Sequence, residues 1–292
     1  MIFNGRVMKA CGGFYQVSID GHDIRCRARG KLKNRNDEVY VGDFVDVSMV
    51  NDAEGVIEDI LPRRILLTRP YIANVDHVFI VFSLADPAPG HMLIDRFLLL
   101  AGEAGLSVTM VFNKQDLVKP GQTGRWMDFY RKVGYDCIST SALQRVGKRK
   151  LLQRAKNRVS VLTGPSGVGK SALLNMIGPW NLATGRLSAR IERGRHTTRM
   201  VQLLPLGGEG FIADTPGFTQ LDLSNFPGDS LDRYFPDFEA WRRECRFNGC
   251  RHVAEPGCMV KKAVEDGLIL PERYRSYVDF TEEINAFRRR KY

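Results

Sequence analysis

The sequence lacks a long hydrophobic run. No window approaches the roughly 18 uninterrupted apolar residues from which a membrane-spanning helix is built. The first residues, Met1 to Arg6, also lack the charged stretch followed by an apolar one that is typical of a secretion signal. We therefore expect a cytoplasmic protein with neither a membrane span nor a signal peptide. Its 292 residues, 43% hydrophobic and 26% charged, indicate a globular chain with two or three domains.

Acidic residues are missing between Asp136 and Glu192, a stretch that contains ten lysines and arginines. The formal net charge is +10, and residues 68–224 carry nearly all of the excess, with 20 basic and 11 acidic side chains. A positive excess concentrated in one segment favours a polyanionic partner, and nucleic acid is the most common one. The alternative is a solvated helix face, which most charge runs are.

Only three of the six cysteines cluster. Cys245, Cys250 and Cys258 form the pattern C-x4-C-x-H-x5-C together with His252. Three thiolates and one imidazole complete a tetrahedral shell, so the pattern predicts a closed, structural zinc site. The alternative is three reduced thiols beside an unrelated histidine. A helix should follow from Pro271, with Tyr274, Tyr277, Thr281, Ile284 and Phe287 spaced as core positions.

The N-terminal segment reads as five short strands separated by turn residues, at 2–8, 14–19, 23–29, 44–50 and 55–60. This pattern predicts a small closed barrel, for which an OB-type fold is favoured over an SH3-like or purely structural barrel. Because side chains alternate along a strand, Arg25, Arg27 and Arg29 should share one face. That face would suit the phosphate backbone of RNA.

The middle of the chain alternates apolar strands with helical stretches, which predicts a mostly parallel sheet flanked by helices. Strands at 75–84 and 107–112 enclose a helix at 92–104, and the second strand ends in Asn113-Lys114-Gln115-Asp116. This fits the guanine signature N-K-x-D. Asp116 would accept both the ring N–H and the exocyclic amine of guanine. Lys114 would lie along the base, and Asn113 would tie neighbouring loops.

Two further loops complete the predicted nucleotide site. A strand at 136–139 leads to Thr140-Ser141-Ala142, which is similar to the loop whose backbone reads guanine in GTPases, so Ser141 and Ala142 are candidates. A strand at 159–163 runs into a complete P-loop and a helix at 172–177, the context that this motif requires. The predicted phosphate-binding residues are Gly164, Pro165, Ser166, Gly167, Val168, Gly169, Lys170, Ser171 and Ala172. Lys170 would reach the β and γ oxygens, and Ser171 would bind Mg²⁺.

The switch elements follow. A strand at 210–213 ends in Asp214-Thr215-Pro216-Gly217, which resembles D-x-x-G. Asp214 would hold Mg²⁺ through water, and Gly217 would contact the γ-phosphate. The motifs occur in the order N-K-x-D, P-loop, D-x-x-G, whereas Ras-like GTPases begin with the P-loop. The GTPase is therefore predicted to be circularly permuted. Such a permutation is tolerated because the termini of a domain usually lie at its surface and close together.

The barrel, the permuted motif order and the C-x4-C-x-H-x5-C pattern together resemble the RsgA (YjeQ, EngC) family of small ribosomal subunit biogenesis GTPases, over essentially the whole chain. The resemblance implies an α/β fold with three parts. These are an OB-fold RNA-binding domain at 1–67, a permuted GTPase domain at 68–224 and a helical zinc-binding domain at 225–292. It also implies late 30S maturation, binding to 16S rRNA, and GTP hydrolysis that 30S stimulates and that is coupled to release.

The same resemblance makes His196 the candidate catalytic residue. It leaves Thr197 and Thr198 as candidates for Mg²⁺, because Arg199 stands where the family often has a third threonine. Phe218 stands where Ras-like proteins carry the water-orienting glutamine, and a phenyl ring cannot orient water.

The expected cofactors are GTP or GDP with Mg²⁺ and one structural Zn²⁺. The expected state is a monomer without membrane or DNA partners. Arg25, Arg27 and Arg29 and the basic run Lys148, Arg149 and Lys150 are the candidate RNA contacts. Two alternatives remain open, namely a permuted GTPase of the large subunit and an RNA chaperone for which GTP is a passive ligand.

Overall fold

The structure is a computed structural model that describes residues 2–34, 37–68, 71–180, 201–207, 210–214, 221–224 and 226–290. Its strands are β1 (Ile2–Cys11), β2 (Phe14–Ile19), β3 (His22–Ala28), β4 (Phe44–Met49), β5 (Glu54–Ile60), β6 (Leu66–Thr68), β7 (Tyr71–Ala73), β8 (His77–Ser83), β9 (Ser107–Asn113), β10 (Asp136–Ser139), β11 (Val159–Thr163), β12 (Gln202–Pro205) and β13 (Phe211–Asp214). Its helices are α1 (Gly30–Asn34), α2 (His91–Glu103), α3 (Pro120–Val133), α4 (Lys148–Ala155), α5 (Lys170–Ile177), α6 (Met259–Glu265) and α7 (Pro271–Arg290). Short 3₁₀ segments lie at Gln115–Leu117, Gly228–Tyr234 and Pro236–Phe238.

The first five strands close into a barrel. They pair in the order β1-β2-β3-β5-β4, and β4 pairs back onto β1. The β3–β5 pair is parallel and the other pairs are antiparallel, which agrees with the predicted OB-like barrel. Along β3, Ile24 and Cys26 point into the barrel core and Arg25 and Arg27 point to solvent, because the strand period is two.

The central part, predicted from its motifs to be a GTPase domain and called the GTPase part below, is a sheet with helices on both faces. Its strands run in the order β10-β9-β8-β11-β13-β12, and all neighbours are parallel except the β13–β12 pair. Every residue of β8 is buried. Its alternate side chains Val78, Ile80 and Phe82 pack with α2 and α3, while Phe79 and Val81 pack with α4 and α5. Two helical layers therefore cover the sheet, as expected for a parallel sheet.

The barrel and the GTPase sheet are continuous. Strand β1 is ten residues long, and Lys9 near its end pairs with Gln202 at the start of β12. The register of β1 against β2 shifts between Val7 and Lys9. Such an irregularity bends a strand, and this bend lets one strand serve both sheets.

The C-terminal part packs on the GTPase part through helix α2. Its core contains Phe235, Phe238, Tyr277 and Phe280 and takes in Leu99 from α2. Of the residues predicted as core positions on the last helix, Tyr277, Thr281 and Ile284 are buried, and Tyr274 and Phe287 are half-buried. None of the described helices is long and apolar enough to cross a membrane.

Several elements differ from expectation or were not predicted. Helix α5 begins at Lys170, not at residue 172, so the P-loop lysine and serine belong to its first turn. Helix α3 and strand β12 were not predicted from the sequence. The β6–β7 hairpin, which links the barrel to the GTPase part, was not predicted either.

Candidate nucleotide site, metal cluster and basic surfaces

The predicted nucleotide loops meet at one edge of the sheet. Each follows a strand of the parallel set: residues 113–116 follow β9, 140–142 follow β10, 164–171 follow β11, and Asp214 ends β13. Since the carboxyl ends of parallel strands lie at the same edge, the four loops are neighbours. This is the place where ligands bind in open α/β sheets.

Asn113 links three of these loops. Its side chain is buried, and its Nδ2 donates to the carbonyl of Val168 in the P-loop at 2.8 Å. Its Oδ1 accepts from the Thr140 hydroxyl at 3.0 Å and from the Ala142 N–H at 3.3 Å. One amide side chain thus bonds the N-K-x-D loop to the P-loop and to the loop at 140–142. The Ala142 N–H, a candidate reader of the base, lies in this same polar cluster.

The P-loop needs glycine at two positions. Gly164 has φ +140°, and a Cβ there would lie 2.1 Å from the carbonyl oxygen of Val81 in β8. Gly169 has φ +97°, and a Cβ there would lie 2.4 Å from Asn113 Nδ2. Neither backbone conformation nor space permits a side chain. Gly169 immediately precedes α5, so the free N–H groups of the first helical turn face the loop.

Lys170 spans the P-loop. Its Nζ donates to the carbonyl oxygens of Gly164 and Pro165, each at 2.8 Å. The ammonium therefore lies against the first two residues of the loop. Ser171 follows in the same helical turn and is half-buried, and Ser166 and Gly167 are exposed at the tip of the loop.

A fifth loop at the same edge, residues 84–90, was not predicted as part of the site. Lys114 adopts the left-handed conformation (φ 61°), and its Nζ donates to the carbonyl of Asp86. A Cβ on Gly167 would lie 3.6 Å from Pro87 Cδ, so this loop also borders the P-loop. The sequence signal was present, because the two prolines at 87 and 89 directly follow a buried strand. Asp116 lies beyond Lys114 in the 3₁₀ segment Gln115–Leu117 and is half-buried.

The predicted switch residues are only partly described. Strand β13 ends at Asp214, one strand away from the P-loop strand. The other candidates, His196, Thr197, Thr198, Gly217 and Phe218, lie outside the described residues.

The four predicted metal ligands form one cluster. The ligand atoms of Cys245, Cys250, His252 and Cys258 all lie within 4.8 Å of one another. His252 Nδ1 lies 3.5 Å from Cys245 Sγ and 3.4 Å from Cys258 Sγ, and those two sulfurs are 3.9 Å apart. A tetrahedral ion with bonds of ~2.0–2.3 Å spaces its ligand atoms roughly 3.3–3.8 Å apart. The donor set and its spacing therefore fit a four-coordinate metal ion.

Helix α7 and the backbone hold this cluster in place. The Tyr274 hydroxyl donates to the carbonyl of His252 at 2.8 Å, and the Tyr277 hydroxyl donates to the carbonyl of Arg251 at 2.7 Å. The Met259 N–H donates to Cys245 Sγ at 3.4 Å. N–H donation to sulfur stabilises a thiolate ligand. These contacts were not predicted, since the tyrosines read only as core residues of a helix.

The basic side chains of the two predicted RNA-binding surfaces differ in their exposure and in their contacts with neighbouring residues. Arg25, Arg27 and Arg29 are exposed, but Arg29 pairs with Glu58. The guanidinium carbons of Arg25 and Arg27 lie 4.0 and 4.5 Å from the centre of the Phe14 ring. On α4, Lys148 is half-buried, whereas Arg149 and Lys150 are exposed.

Comparison with protein families and known proteins gives a consistent result. Residues 4–57 match the model of the RsgA N-terminal domain, and residues 60–224 match the model of the RsgA GTPase. The small ribosomal subunit biogenesis GTPase RsgA of Carboxydothermus hydrogenoformans is 45% identical over 284 residues, which cover 97% of this chain and 98% of that protein. The RsgA of Caldanaerobacter subterraneus is 41% identical, with 99% and 98% covered.

Solved structures agree with the architecture. YjeQ from Thermotoga maritima superposes with a TM-score of 0.87 at 36% identity, covering 97% of this chain and 99% of that one. YloQ, described as a circularly permuted GTPase, superposes with a TM-score of 0.85 at 34% identity, covering 98% and 96%.

Proposed function

The chain belongs to the RsgA family of GTPases, and from this premise we propose that it acts in late maturation of the small (30S) ribosomal subunit. It binds the subunit through 16S rRNA, hydrolyses GTP to GDP and phosphate, and leaves after hydrolysis. The observation that carries this proposal is the Asn113 side chain, which bonds the base-reading loops to the P-loop. That arrangement suits one ligand with a guanine at one end and phosphates at the other.

Guanine recognition is assigned to the loops at 113–116 and 140–142. The Asp116 carboxylate accepts two hydrogen bonds from the ring N–H and the amine of guanine, a pattern that adenine does not offer. The Lys114 stem covers one face of the base, and its ammonium is held by the Asp86 carbonyl. Ser141 and Ala142 close the site around the guanine oxygen.

Phosphate binding is assigned to residues 164–172. Backbone N–H groups of the loop and of the first turn of α5 surround the anionic oxygens. Lys170 exchanges its two loop carbonyls for the β and γ oxygens of the nucleotide. Mg²⁺, when bound, neutralises charge on these oxygens, and Ser171, Asp214 and one of Thr197 or Thr198 would hold it.

Hydrolysis is assigned to the segment that precedes β12 and to the segment that follows β13. The resemblance to the RsgA family makes His196 the proposed residue that orients the attacking water. Phe218, which stands where Ras-like proteins carry a glutamine, offers no hydrogen bond for this purpose. Gly217 would contact the γ-phosphate and so distinguish the triphosphate from the diphosphate state.

The cysteine and histidine cluster is assigned to zinc. Four protein ligands leave no open position for a substrate, so the ion is structural. We further propose that it is a protein of the cytoplasm that acts as a monomer, without membrane or DNA partners. Exposed Arg25 and Arg27 supply RNA contacts from the barrel, with a smaller contribution from Arg29, which is already paired with Glu58.

Base specificity is the direct test of the nucleotide site. In Asp116→Asn, one acceptor becomes a donor, so we expect GTP affinity to fall by at least about a hundredfold and xanthosine triphosphate to become the preferred ligand. Calorimetry with both nucleotides measures this, and Leu117→Ala is the control because that side chain is 62% exposed on the same loop. Unchanged base preference would remove Asp116 from recognition.

The ribosomal role is tested separately. We expect co-sedimentation with 30S and not with 50S in a non-hydrolysable GTP analogue. We also expect 30S to stimulate GTP turnover of the wild type and not of His196→Ala. Preferential binding to 50S would favour the large-subunit alternative. Intact subunit maturation with Lys170→Ala would favour the RNA chaperone.

A further inference from the structure

Helix α4 presents an uncompensated basic face. The helix contains no acidic residue, and its Leu151 and Ala155 are buried against the GTPase core. These two positions lie one turn apart, so the opposite side of the helix faces solvent. That side carries Arg149, Lys150 and Gln153, all exposed. Exposed Lys156 continues it beyond the end of the helix.

A cleft lies on each side of this helix. The first, of about 280 Å³, is lined mainly by Arg131 of α3, Asp136 and Tyr135 at the start of β10, and Lys150, Gln153 and Arg154 of α4. The second, of about 490 Å³, is lined by Arg149, Leu152, Gln153 and Lys156 and by the β12–β13 turn at Leu206, Gly207 and Gly210. Gln153 borders both clefts, so α4 forms the ridge between them.

The charge inside the clefts is positive. In the first cleft, three cations (Arg131, Lys150 and Arg154) face one carboxylate, which leaves a net charge of about +2. That carboxylate, Asp136, accepts from Arg154 Nε at 2.6 Å and Nη2 at 3.0 Å. Arg131 pairs with Asp128 of its own helix at 3.6 Å and donates to the carbonyl of Cys137 at 3.3 Å. Lys150 is therefore the cation of this cleft whose charge is available to a ligand. The charged residues among the described lining of the second cleft are Arg149 and Lys156.

The chemistry of the lining selects the kind of anion. Single-stranded RNA is recognised mainly by stacking its bases on aromatic side chains, whereas double-stranded RNA is recognised by its shape and its backbone. Tyr135 is the one aromatic residue among the described lining residues of either cleft, and it is half-buried. Long cationic side chains and one amide on a convex ridge suit phosphate oxygens and ribose hydroxyls.

We propose that α4 and its two flanking clefts form a binding site for the phosphodiester backbone of double-stranded RNA. Lys150 contacts a phosphate on one side of the ridge, Arg149 and Lys156 contact phosphates on the other, and Gln153 bonds a ribose hydroxyl between them. The site rests on the proposed role as an RNA-bound GTPase. It adds a surface separate from the barrel and states the form of RNA that this surface accepts.

The test is a titration of the full-length protein with a fluorescent RNA duplex of about 20 base pairs over a series of salt concentrations. Each lost phosphate contact should lower the salt slope by about one. We expect Arg149→Ala/Lys150→Ala to bind at least about tenfold more weakly and to show a slope smaller by about two. Arg275→Ala, an exposed arginine on α7, is the control and should bind like the wild type.

Several outcomes would overturn the proposal. These are wild-type binding by the double variant, an equal loss in Arg275→Ala, tighter binding of single-stranded RNA of the same length, or equal binding of a DNA duplex. GTP affinity and 30S co-sedimentation of the wild type are measured in parallel. If the wild type shows both and the double variant binds the duplex normally, this site is wrong while the proposed function stands.

Discussion

The Asn113 side chain makes the hydrogen bonds that connect three loops of the candidate nucleotide site. Replacing it with alanine leaves the Val168 carbonyl, the Thr140 hydroxyl and the Ala142 N–H without their partner in a buried region. Buried polar groups without partners cost about 1–3 kcal/mol each. We expect Asn113→Ala to lower the free energy of unfolding by about 2–3 kcal/mol and to weaken GTP binding by at least about tenfold. Denaturation and calorimetry measure these two effects.

The control for this prediction is Gln115→Ala, two residues along the same loop. Stability loss in Asn113→Ala without any loss of GTP affinity would mean that the three loops keep their places without the asparagine.

His77 is a buried histidine at the opposite end of the same strands. Its Nε2 lies 3.0 Å from Thr109 Oγ1, and Thr109 itself donates to Asp136 at 3.1 Å. Thr109 must therefore accept from Nε2–H, which leaves Nδ1 to accept from the Ser160 hydroxyl at 3.3 Å. A neutral histidine satisfies this chain, and burial lowers the pKa of His77 to about 4.

This shift predicts a pH dependence of stability. Between pH 6.5 and 4, the unfolded chain binds a proton at His77 that the folded protein does not bind. Stability is therefore full above this window and falls as the pH is lowered through it, by up to about 3 kcal/mol. We expect His77→Gln to reduce this slope in urea denaturation at several pH values. His22→Gln, at an exposed histidine of β3, should leave the slope unchanged, and a slope that persists in His77→Gln would contradict the assignment.

The sequence predicts one of these two residues and misses the other. Asn113 belongs to a motif whose spacing carries chemical meaning, so its place after a buried strand could be foreseen. His77 belongs to no motif. Its partners come from positions 32 and 83 residues away along the chain, and only the pairing of β8 with β9 and β11 brings them together.

At the scale of elements, helices α2 and α7 are joined by buried charge. Arg273 of α7 donates to Asp95 of α2 at 2.6 Å and to Asp237 at 3.1 Å, and the Arg273 and Asp95 side chains are at most 1% exposed. Nearby, Arg96 of α2 pairs with Glu283 of α7. Burial raises the pKa of Asp95 even beside the Arg273 guanidinium, whereas the carboxylates of Asp95 and Asp237 raise the pKa of Arg273 despite its burial. The pair therefore fixes where the C-terminal part lies on the GTPase part.

Removing one partner of this pair should be costly. Arg273→Met leaves Asp95 buried and uncompensated, and such losses amount to about 3–5 kcal/mol. We expect thermal unfolding to show a loss of that size, and Arg273→Met/Asp95→Asn to recover part of it because the orphaned charge is gone. Arg275→Met is the matched control, since Arg275 is exposed on the same helix. Equal stability of the Arg273 and Arg275 variants would mean that the contact between α2 and α7 does not depend on the ion pair.

The elements themselves differ in how readily the sequence reveals them. Strand β8 is predictable because a short apolar run that is followed by prolines is typical of a buried strand. Helix α3 is not, because its start, Pro120-Gly121-Gln122-Thr123-Gly124, has the composition of a turn. It becomes helical because Met127 and Tyr130 are drawn into the core with α2.

At the scale of the whole molecule, the barrel and the C-terminal part each contact the GTPase part. The barrel joins it through the β1–β12 pairing, and the C-terminal part joins it through α2. The order of the parts was predictable, since each carries its own local signature. The contacts between them were not, because the pairing of Lys9 with Gln202 links residues far apart in sequence and has no local pattern.

This arrangement predicts how the molecule responds to metal removal. The cluster at Cys245, Cys250, His252 and Cys258 supports the core around Tyr277, whose hydroxyl holds the adjoining loop. The nucleotide loops, in contrast, depend on β8, β9 and β11. Because a metal that binds the folded state stabilises it by mass action, a strong chelator should lower the melting temperature of the C-terminal part first. GTP affinity at 20 °C should change by less than about threefold, a shift of under 1 kcal/mol.

Calorimetric scans with and without chelator, followed by GTP titration, check this expectation. Cys250→Ser should reproduce the chelated scan, because it removes one ligand, and Cys11→Ser should not, because Cys11 is an exposed cysteine in the barrel. The opposite outcome would be that the chelator abolishes GTP binding at a temperature where the GTPase sheet is still folded. Loss of the metal would then change the structure of the nucleotide loops through the contact between α7 and α2. Asp95 and Arg96 lie on the helix that follows the loop at 84–90, so the Arg273→Met variant would then show the same loss of GTP affinity without any chelator.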